Sequence, residues 1–227
     1  MIVLALDTSG PSAGVALLRE GALCYEATVV NKLTHSVNLM PMAEEGLRCA
    51  GIELKQVDLL AAVVGPGSFT GVRIGVAAVQ GMARALNRPC VAVNALEALA
   101  LGVPGGPRVV CPIRDARVQQ VYGAAFLQGE RLMADAALKL TEYLEIIRGL
   151  GDSFYFVGDG VNCYQALIED ALGSRAAFAP PHLNLLKPGA AALIAARDVQ
   201  AAVAPEDLRP LYLRQPQAQR ERENMHG

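Results

Sequence analysis

The sequence predicts an α/β protein of two lobes, each a mixed sheet with the element order βββαβα. Three observations lead there. Three short apolar runs, Ile2–Thr8, Ala13–Leu18 and Ala22–Val30, open the chain at hairpin spacing, with Glu20-Gly21 as a turn. Helical and strand patterns then alternate up to a Gly/Pro cluster, Gly102-Val103-Pro104-Gly105-Gly106-Pro107, the clearest linker in the chain. Beyond it a similar order starts again. The lobes are accordingly placed at residues 1–104 and 105–227.

In the first lobe a helix is expected from about Ser36 to Ala50, because Leu39, Met42, Ala43, Gly46, Leu47 and Ala50 recur at three- and four-residue steps. Thr34 or Ser36 is placed to cap it, and Pro41 fits only in its first turn or at a kink. Leu59–Val64 reads as a buried strand, Phe69–Asn87 as a long helix, Cys90–Val93 as a strand and Ala95–Leu101 as a short helix. The second lobe offers strands at Arg108–Arg114, Val118–Leu127, Arg131–Lys139 and Phe154–Val157, with helices at Thr141–Gly149, Val161–Leu172 and Pro188–Val203. Three strands in succession argue against a plain βαβ dinucleotide-binding start. Two halves of this order around a cleft are the architecture of the actin/sugar-kinase/Hsp70 superfamily, an actin-like, ribonuclease H-like fold.

Composition narrows the function classes. Of 227 residues 52% are hydrophobic but only 5% aromatic, so the cores are built from Ala, Val and Leu. No run approaches the roughly 18 apolar residues of a membrane span. The opening Met1–Asp7 has no basic segment, which is not how a signal peptide begins; the expected location is the cytoplasm. Cys24, Cys49, Cys90, Cys111 and Cys163 show no Cys-x-x-Cys spacing and read as reduced, mostly buried thiols. A net charge of −2 gives no basic footprint for autonomous nucleic-acid binding. The C-terminal Arg209, Arg214, Arg220 and Arg222, offset by Glu206, Asp207, Glu221 and Glu223, read as a solvated tail.

The functional centre is placed at Val64–Gly75, a glycine-rich turn that opens a helix of small residues. Two uses compete. Free N–H groups over Gly67–Gly71, with the hydroxyls of Ser68 and Thr70, could cradle an anion at the helix N-terminus, Gly65 completing the turn. No Lys-Ser/Thr pair follows, so this is not a Walker A loop. Alternatively Gly71, Gly75, Ala78, Met82 and Ala85 form a flat face that admits another helix. Packing is favoured, since no metal ligand or catalytic base stands nearby. It implies that Gly75→Leu blocks docking. Asp7 and Thr8 could bring an acid toward a nucleotide's Mg²⁺ or simply make strand-end hydrogen bonds. Gly158-Asp159-Gly160 could approach an adenine or form a strand-to-helix turn. His35 lacks a second histidine on its helix, with His182 and His226 far away, and is read as a polar contact at the helix start or interface. Asp115 is read as structural; Arg117 stays open.

Gly65-Pro-Gly-Ser-Phe-Thr-Gly-Val-Arg-Ile-Gly75 resembles the signature of the bacterial TsaB (YeaZ) family. Leu4–Ser9, Thr34-His35-Ser36 with Leu39-Met40-Pro41, Asp115-Ala116-Arg117 with Val121-Tyr122, and Pro210–Arg214 resemble further landmarks in order; Gln120 departs, standing where an acidic residue commonly precedes Val-Tyr. The resemblance implies a non-catalytic scaffold subunit with the actin-like fold. It would pair with the catalytic subunit TsaD and work with the ATPase TsaE. That assembly moves a threonylcarbamoyl group from its adenylate to the adenosine 3′ of certain tRNA anticodons. The resemblance implies no metal or cofactor of its own, with ATP or ADP and a metal in the partner subunits or at their interface. It also implies tRNA contact only through the complex, no membrane, and a homodimer when isolated. The pairing surface would comprise His35, Leu39, Met42, Ala43 and Gly46 on one helix and Gly71, Arg73, Gly75, Ala78 and Met82 on the other. Readings of another class are an independent actin-like ATPase or small-molecule kinase using Asp7 and the glycine turns, and, more weakly, a peptidase.

Overall fold

A computed structural model describes residues 1–31, 33–104 and 106–214. Ile2–Asp7 (β1), Ala13–Arg19 (β2) and Ala22–Val29 (β3) form an antiparallel meander. The helix His35–Ala50 (α1) leads to Leu59–Gly65 (β4), which lies parallel to β1 with Leu4 opposite Leu60. Phe69–Leu86 (α2) returns the chain to Cys90–Asn94 (β5), parallel to β4, before Ala95–Leu101 (α3). The second half repeats the plan with Val109–Asp115 (β6), Gln120–Leu127 (β7), Glu130–Lys139 (β8), Leu140–Arg148 (α4), Phe154–Val157 (β9), Asp159–Leu172 (α5), Ala176–Phe178 (β10) and Pro188–Arg197 (α6). The sheets run β3-β2-β1-β4-β5 and β8-β7-β6-β9-β10, the same order twice. This is the two-lobed actin-like α/β fold.

Strand alternation sorts the cores. Leu4 and Leu6 of β1 point to the side covered by α1 and α2, where Val15, Leu17, Leu60 and Ala62 join them. Val3 and Ala5 point the other way, into a layer between the lobes that includes α3, α6 and second-lobe residues such as Phe126 and Val157. A third core lies under α4 and α5, around Tyr143, Phe154 and Phe156. Each fully buried leucine contributes about 2 kcal/mol by burial alone.

The structure departs from the sequence expectations at several places. Two helices pack across the expected lobe limits: α6, within 105–227, lies across β1 and β2 of the first sheet, and α3, within 1–104, packs on β6. Helix α6 also stops at Arg197. Beyond it Val203 forms a bridge with Cys90, and Leu208 is buried in the first-lobe core. β10 was not expected, being a run of only three residues. β7 starts at Gln120 because Arg117, Val118 and Gln119 take left-handed backbone in the preceding turn. Thr34 holds the N-cap position of α1 without a side-chain cap bond, and Pro41 lies past the first turn, on the exposed side. Cys24, Cys49 and Cys163 are exposed, so only Cys90 and Cys111 behave as the buried thiols expected; burial pushes Cys111 up to about 12.

Candidate functional site

The lobes meet at a cleft of about 510 Å³. Its first-lobe wall is the β1–β2 turn, Ser9-Gly10-Pro11, with Pro66–Thr70 leading into α2. The second lobe contributes the end of β6, Arg114–Arg117, with Tyr122 and Asp159, and the C-terminal segment Leu211–Arg214 crosses over it.

Asp7 ends β1 fully buried. Its Oδ1 accepts the Ser9 N–H at 2.8 Å and the Ser9 hydroxyl at 2.5 Å, while no donor among the described residues reaches Oδ2. Burial raises its pKa above the ordinary carboxylate value, an effect opposed by the Arg114 charge and the Ser9 hydrogen bonds. The Thr8 hydroxyl donates to the Gly71 carbonyl at 2.7 Å. Ser68 caps α2 by accepting the Gly71 N–H at 3.2 Å, and its own N–H donates to Ser9 O at 2.8 Å. Thr70 is exposed beside them.

The glycines of the turns are places of close approach. A Cβ on Gly67 would lie 2.1 Å from Ser9 O, one on Gly65 2.7 Å from Leu211 O, and one on Gly158 2.2 Å from Ile113 O. Gly160 is less tight, its Cβ falling 3.1 Å from the same carbonyl group. Gly158 and Gly160 thus let α5 start against β6, and the nearest neighbours of all four positions are backbone of this chain. Asp115 accepts the Arg117 N–H and the Tyr164 hydroxyl, each at 2.8 Å, and closes its own turn. Arg117 is exposed at the cleft mouth.

The C-terminal segment is an ordered strap in its described part. Leu211 N–H donates to Val64 O at 2.7 Å, and Tyr212 stacks on Phe69 with ring centroids 4.7 Å apart. Arg73 donates to the Tyr212 hydroxyl at 2.9 Å and lies 3.9 Å over the Phe69 ring. Arg214 donates to Ala116 O at 3.0 Å, so it is not the solvated charge expected. Arg220, Glu221, Arg222, Glu223 and His226 lie outside the described residues.

The expected docking face turns inward. On α2, a Cβ on Gly71 would lie 2.1 Å from Thr8 O and one on Gly75 2.6 Å from Thr8 Oγ1. Met82 is buried, and Ala78 is half-buried at the edge of the same core. On α1, Leu39, Met42 and Ala43 are buried on the first sheet, and Gly46 makes room for the Tyr25 ring. These small residues serve the chain's own packing, because a helix presses closest where side chains are absent. His35 donates from Nε2 to Gly10 O at 3.1 Å, a contact between the start of α1 and the β1–β2 turn. Of the expected surface residues, Arg73 is exposed, engaged with the strap. The outward stripe of α2 is Thr70, Arg73, Ala77, Gly81, Arg84 and Ala85, with open space over Gly81. Beside it α1 exposes Val37 and Met40. Ala85, expected on the same face as Gly71 and Gly75, lies on this outward stripe instead; sequence reading missed Ala77, Gly81 and Arg84, as well as Ser9, Gly10 and Arg114 in the cleft. A charged residue closing the apolar run Val109–Ile113 was the available signal for Arg114.

Comparison with known proteins places the molecule in two steps. Its fold is that of the two-lobed actin-like proteins: the activator of the 2-hydroxyisocaproyl-CoA dehydratase from Clostridium difficile with bound ADPNP superposes at TM-score 0.54, with 10% identity, over 93% of this chain and 100% of that one. YeaZ from Pseudomonas aeruginosa superposes at TM-score 0.74 with 31% identity, over 93% and 99% of the two chains. The family model described as "TsaD: tRNA N6-adenosine threonylcarbamoyltransferase" matches residues 30–222. The tRNA threonylcarbamoyladenosine biosynthesis protein TsaB of Bacillus subtilis is 34% identical over 179 residues, 77% of this chain and 78% of that protein. The Escherichia coli TsaB is 31% identical over 232 residues, 94% and 95% of the two. The chain belongs to the TsaB/YeaZ family, proteins of tRNA threonylcarbamoyladenosine biosynthesis that share the TsaD-like domain. Among the described residues no helix is long and apolar enough to cross a membrane.

Proposed function

We propose that this chain is the non-catalytic scaffold subunit of a tRNA threonylcarbamoyl transfer complex, pairing with the catalytic subunit TsaD through the outward faces of α1 and α2. The supporting observation is the exposed small stripe Ala77, Gly81 and Ala85 beside Val37 and Met40. A helix with no side chain at Gly81 lets a partner helix approach at close range, and the flanking apolar residues give that approach a dry core. The same surface would join two copies of the isolated chain. TsaE, ATP and any metal act in the partner subunits or at their junction, and tRNA meets this chain only through the assembly.

The alternative, an independent actin-like ATPase, needs room and negative charge for Mg²⁺ at Asp7. The residues present do not fit that need. The Arg114 guanidinium already stands there, and one Asp7 oxygen is engaged by Ser9. The peptidase reading needs a nucleophile with an adjacent base, and His35, bonded to a backbone carbonyl, does not supply one.

The test is co-purification with the catalytic subunit, comparing wild type with Gly81→Leu. The leucine enters open space, so the chain should fold normally and lose most of its partner binding. Unchanged pairing would overturn the assigned face. Transfer activity should require the catalytic subunit, TsaE, ATP and the threonylcarbamoyl adenylate; robust activity from this chain alone would sink the scaffold reading.

A further inference from the structure

The turns of the first lobe leave a socket, and the second lobe fills it. A Cβ on Gly10 would lie 2.0 Å from Arg114 Nη2, and one on Gly67 would lie 2.9 Å from Nη1. The guanidinium therefore occupies space that these two glycines leave empty, on a side chain only 4% exposed. Nη1 donates to the Ser9 hydroxyl at 2.7 Å and to the Pro66 carbonyl at 3.2 Å. Ser9 in turn donates to Asp7 Oδ1, so the contact runs from β6 of one lobe through a hydroxyl to the end of β1 in the other. On the far side Nε lies 3.5 Å from Asp159 Oδ1 at the start of α5.

The chemistry around this group is that of a cation site. Two acids, Asp7 and Asp159, face it from different lobes, and each keeps one buried oxygen that no hydrogen-bond donor among the described residues reaches. A fully buried carboxylate on the first lobe and a second one 3.5 Å from Nε on the other are each stabilised as anions by the guanidinium charge. Arginine supplies that charge permanently, with a planar fork that reaches several acceptors at once. A divalent ion brought to the same carboxylates would meet the guanidinium first.

We propose that Arg114 is the resident cation of the interlobe cleft: seated in the Gly10–Gly67 socket, it neutralises Asp7 and Asp159, ties the two lobes together and excludes a divalent metal ion from between them. The glycine turn is thus liganded, and its ligand is the chain's own side chain.

A double-mutant cycle on the full chain tests this. Gly10 has no left-handed backbone requirement, so alanine is resisted only by the guanidinium. Gly10→Ala should lower the melting temperature by roughly 5 °C or more in the wild-type background. In Arg114→Ala the socket is vacant, and the same substitution should cost less than half as much. Equal losses in the two backgrounds overturn the proposal. Arg114→Met, which keeps the stem without the fork, serves as the second background should Arg114→Ala not fold. Mn²⁺ added to the wild-type chain should remain free by electron paramagnetic resonance. Bound Mn²⁺ that is released by Asp159→Asn overturns the proposal independently.

Discussion

Along α2, Gly71 and Gly75 face Thr8 at the end of β1, whereas Ala77, Gly81 and Ala85 face outward with open space above Gly81. Both stripes are built of small residues at helical spacing, yet only the first is filled by this chain. The inward stripe lets the helix settle onto the strand end until the Thr8 hydroxyl reaches the Gly71 carbonyl. Over Gly81 the outward stripe meets no atom of the described residues, and glycine within a helix costs about 1 kcal/mol relative to alanine. A costly residue that contributes no contact inside the chain is the kind of local conflict that marks a surface used elsewhere. One helix thus holds a fold determinant on one side and the proposed partner surface on the other.

The largest expected effect breaks the inward side. Gly71→Ala puts a methyl group 2.1 Å from the backbone of Thr8, where no side chain can yield, and should cost about 3 kcal/mol or more. The same substitution outside, Gly81→Ala, meets no atom and should stabilise the chain by up to about 1 kcal/mol. Denaturant melts of the two variants give opposite shifts if the faces are assigned correctly. Shifts of the same sign would erase the distinction between them. Gly75→Leu belongs with the first variant: it would remove folded protein rather than block docking alone.

The contrast also explains what was legible in the sequence. Periodicity located α2 and the face Gly71, Gly75, Ala78, Met82 and Ala85, of which Ala85 turns outward; a small face pressed into the chain and one held out for a partner have the same pattern. What decides between them is Thr8, 63 positions before Gly71, which no local window contains. The doubled strand order was readable because hairpin spacing and apolar alternation are local. The crossing of α3 and α6 between lobes was not, since an Ala-rich helix such as Pro188–Arg197 fits either sheet. Arg114 was likewise hidden: its partners Ser9 and Pro66 come from turns 105 and 48 residues away.

A smaller effect tests the bond that seats the inward face. Thr8→Val keeps the shape of the side chain and removes its hydroxyl, which donates to Gly71 O from a fully buried position. The expected loss is about 1 kcal/mol, or roughly 2–4 °C in melting temperature. A loss as large as that of Gly71→Ala would mean that the hydrogen bond, and not the close approach, governs the contact.

The finest distinction lies one residue earlier, at Asp7, where burial and the Arg114 charge act in opposite directions. Burial prevails, and the folded pKa stands above the ordinary value of 3.8. A carboxyl with a raised folded pKa adds stability that is fully present below its unfolded pKa and is lost as pH rises through the folded one. Asp7→Asn keeps an oxygen that can accept both Ser9 hydrogen bonds but does not titrate. The melting temperature of Asp7→Asn relative to wild type should therefore climb between about pH 4 and neutrality. A relative stability that is flat over that range, and falls with rising pH only below about pH 4, would show the Arg114 charge outweighing burial, with the folded pKa below 3.8 instead. The slope of one difference curve thus reports which of two forces governs the end of β1, on which the inward face of α2 rests.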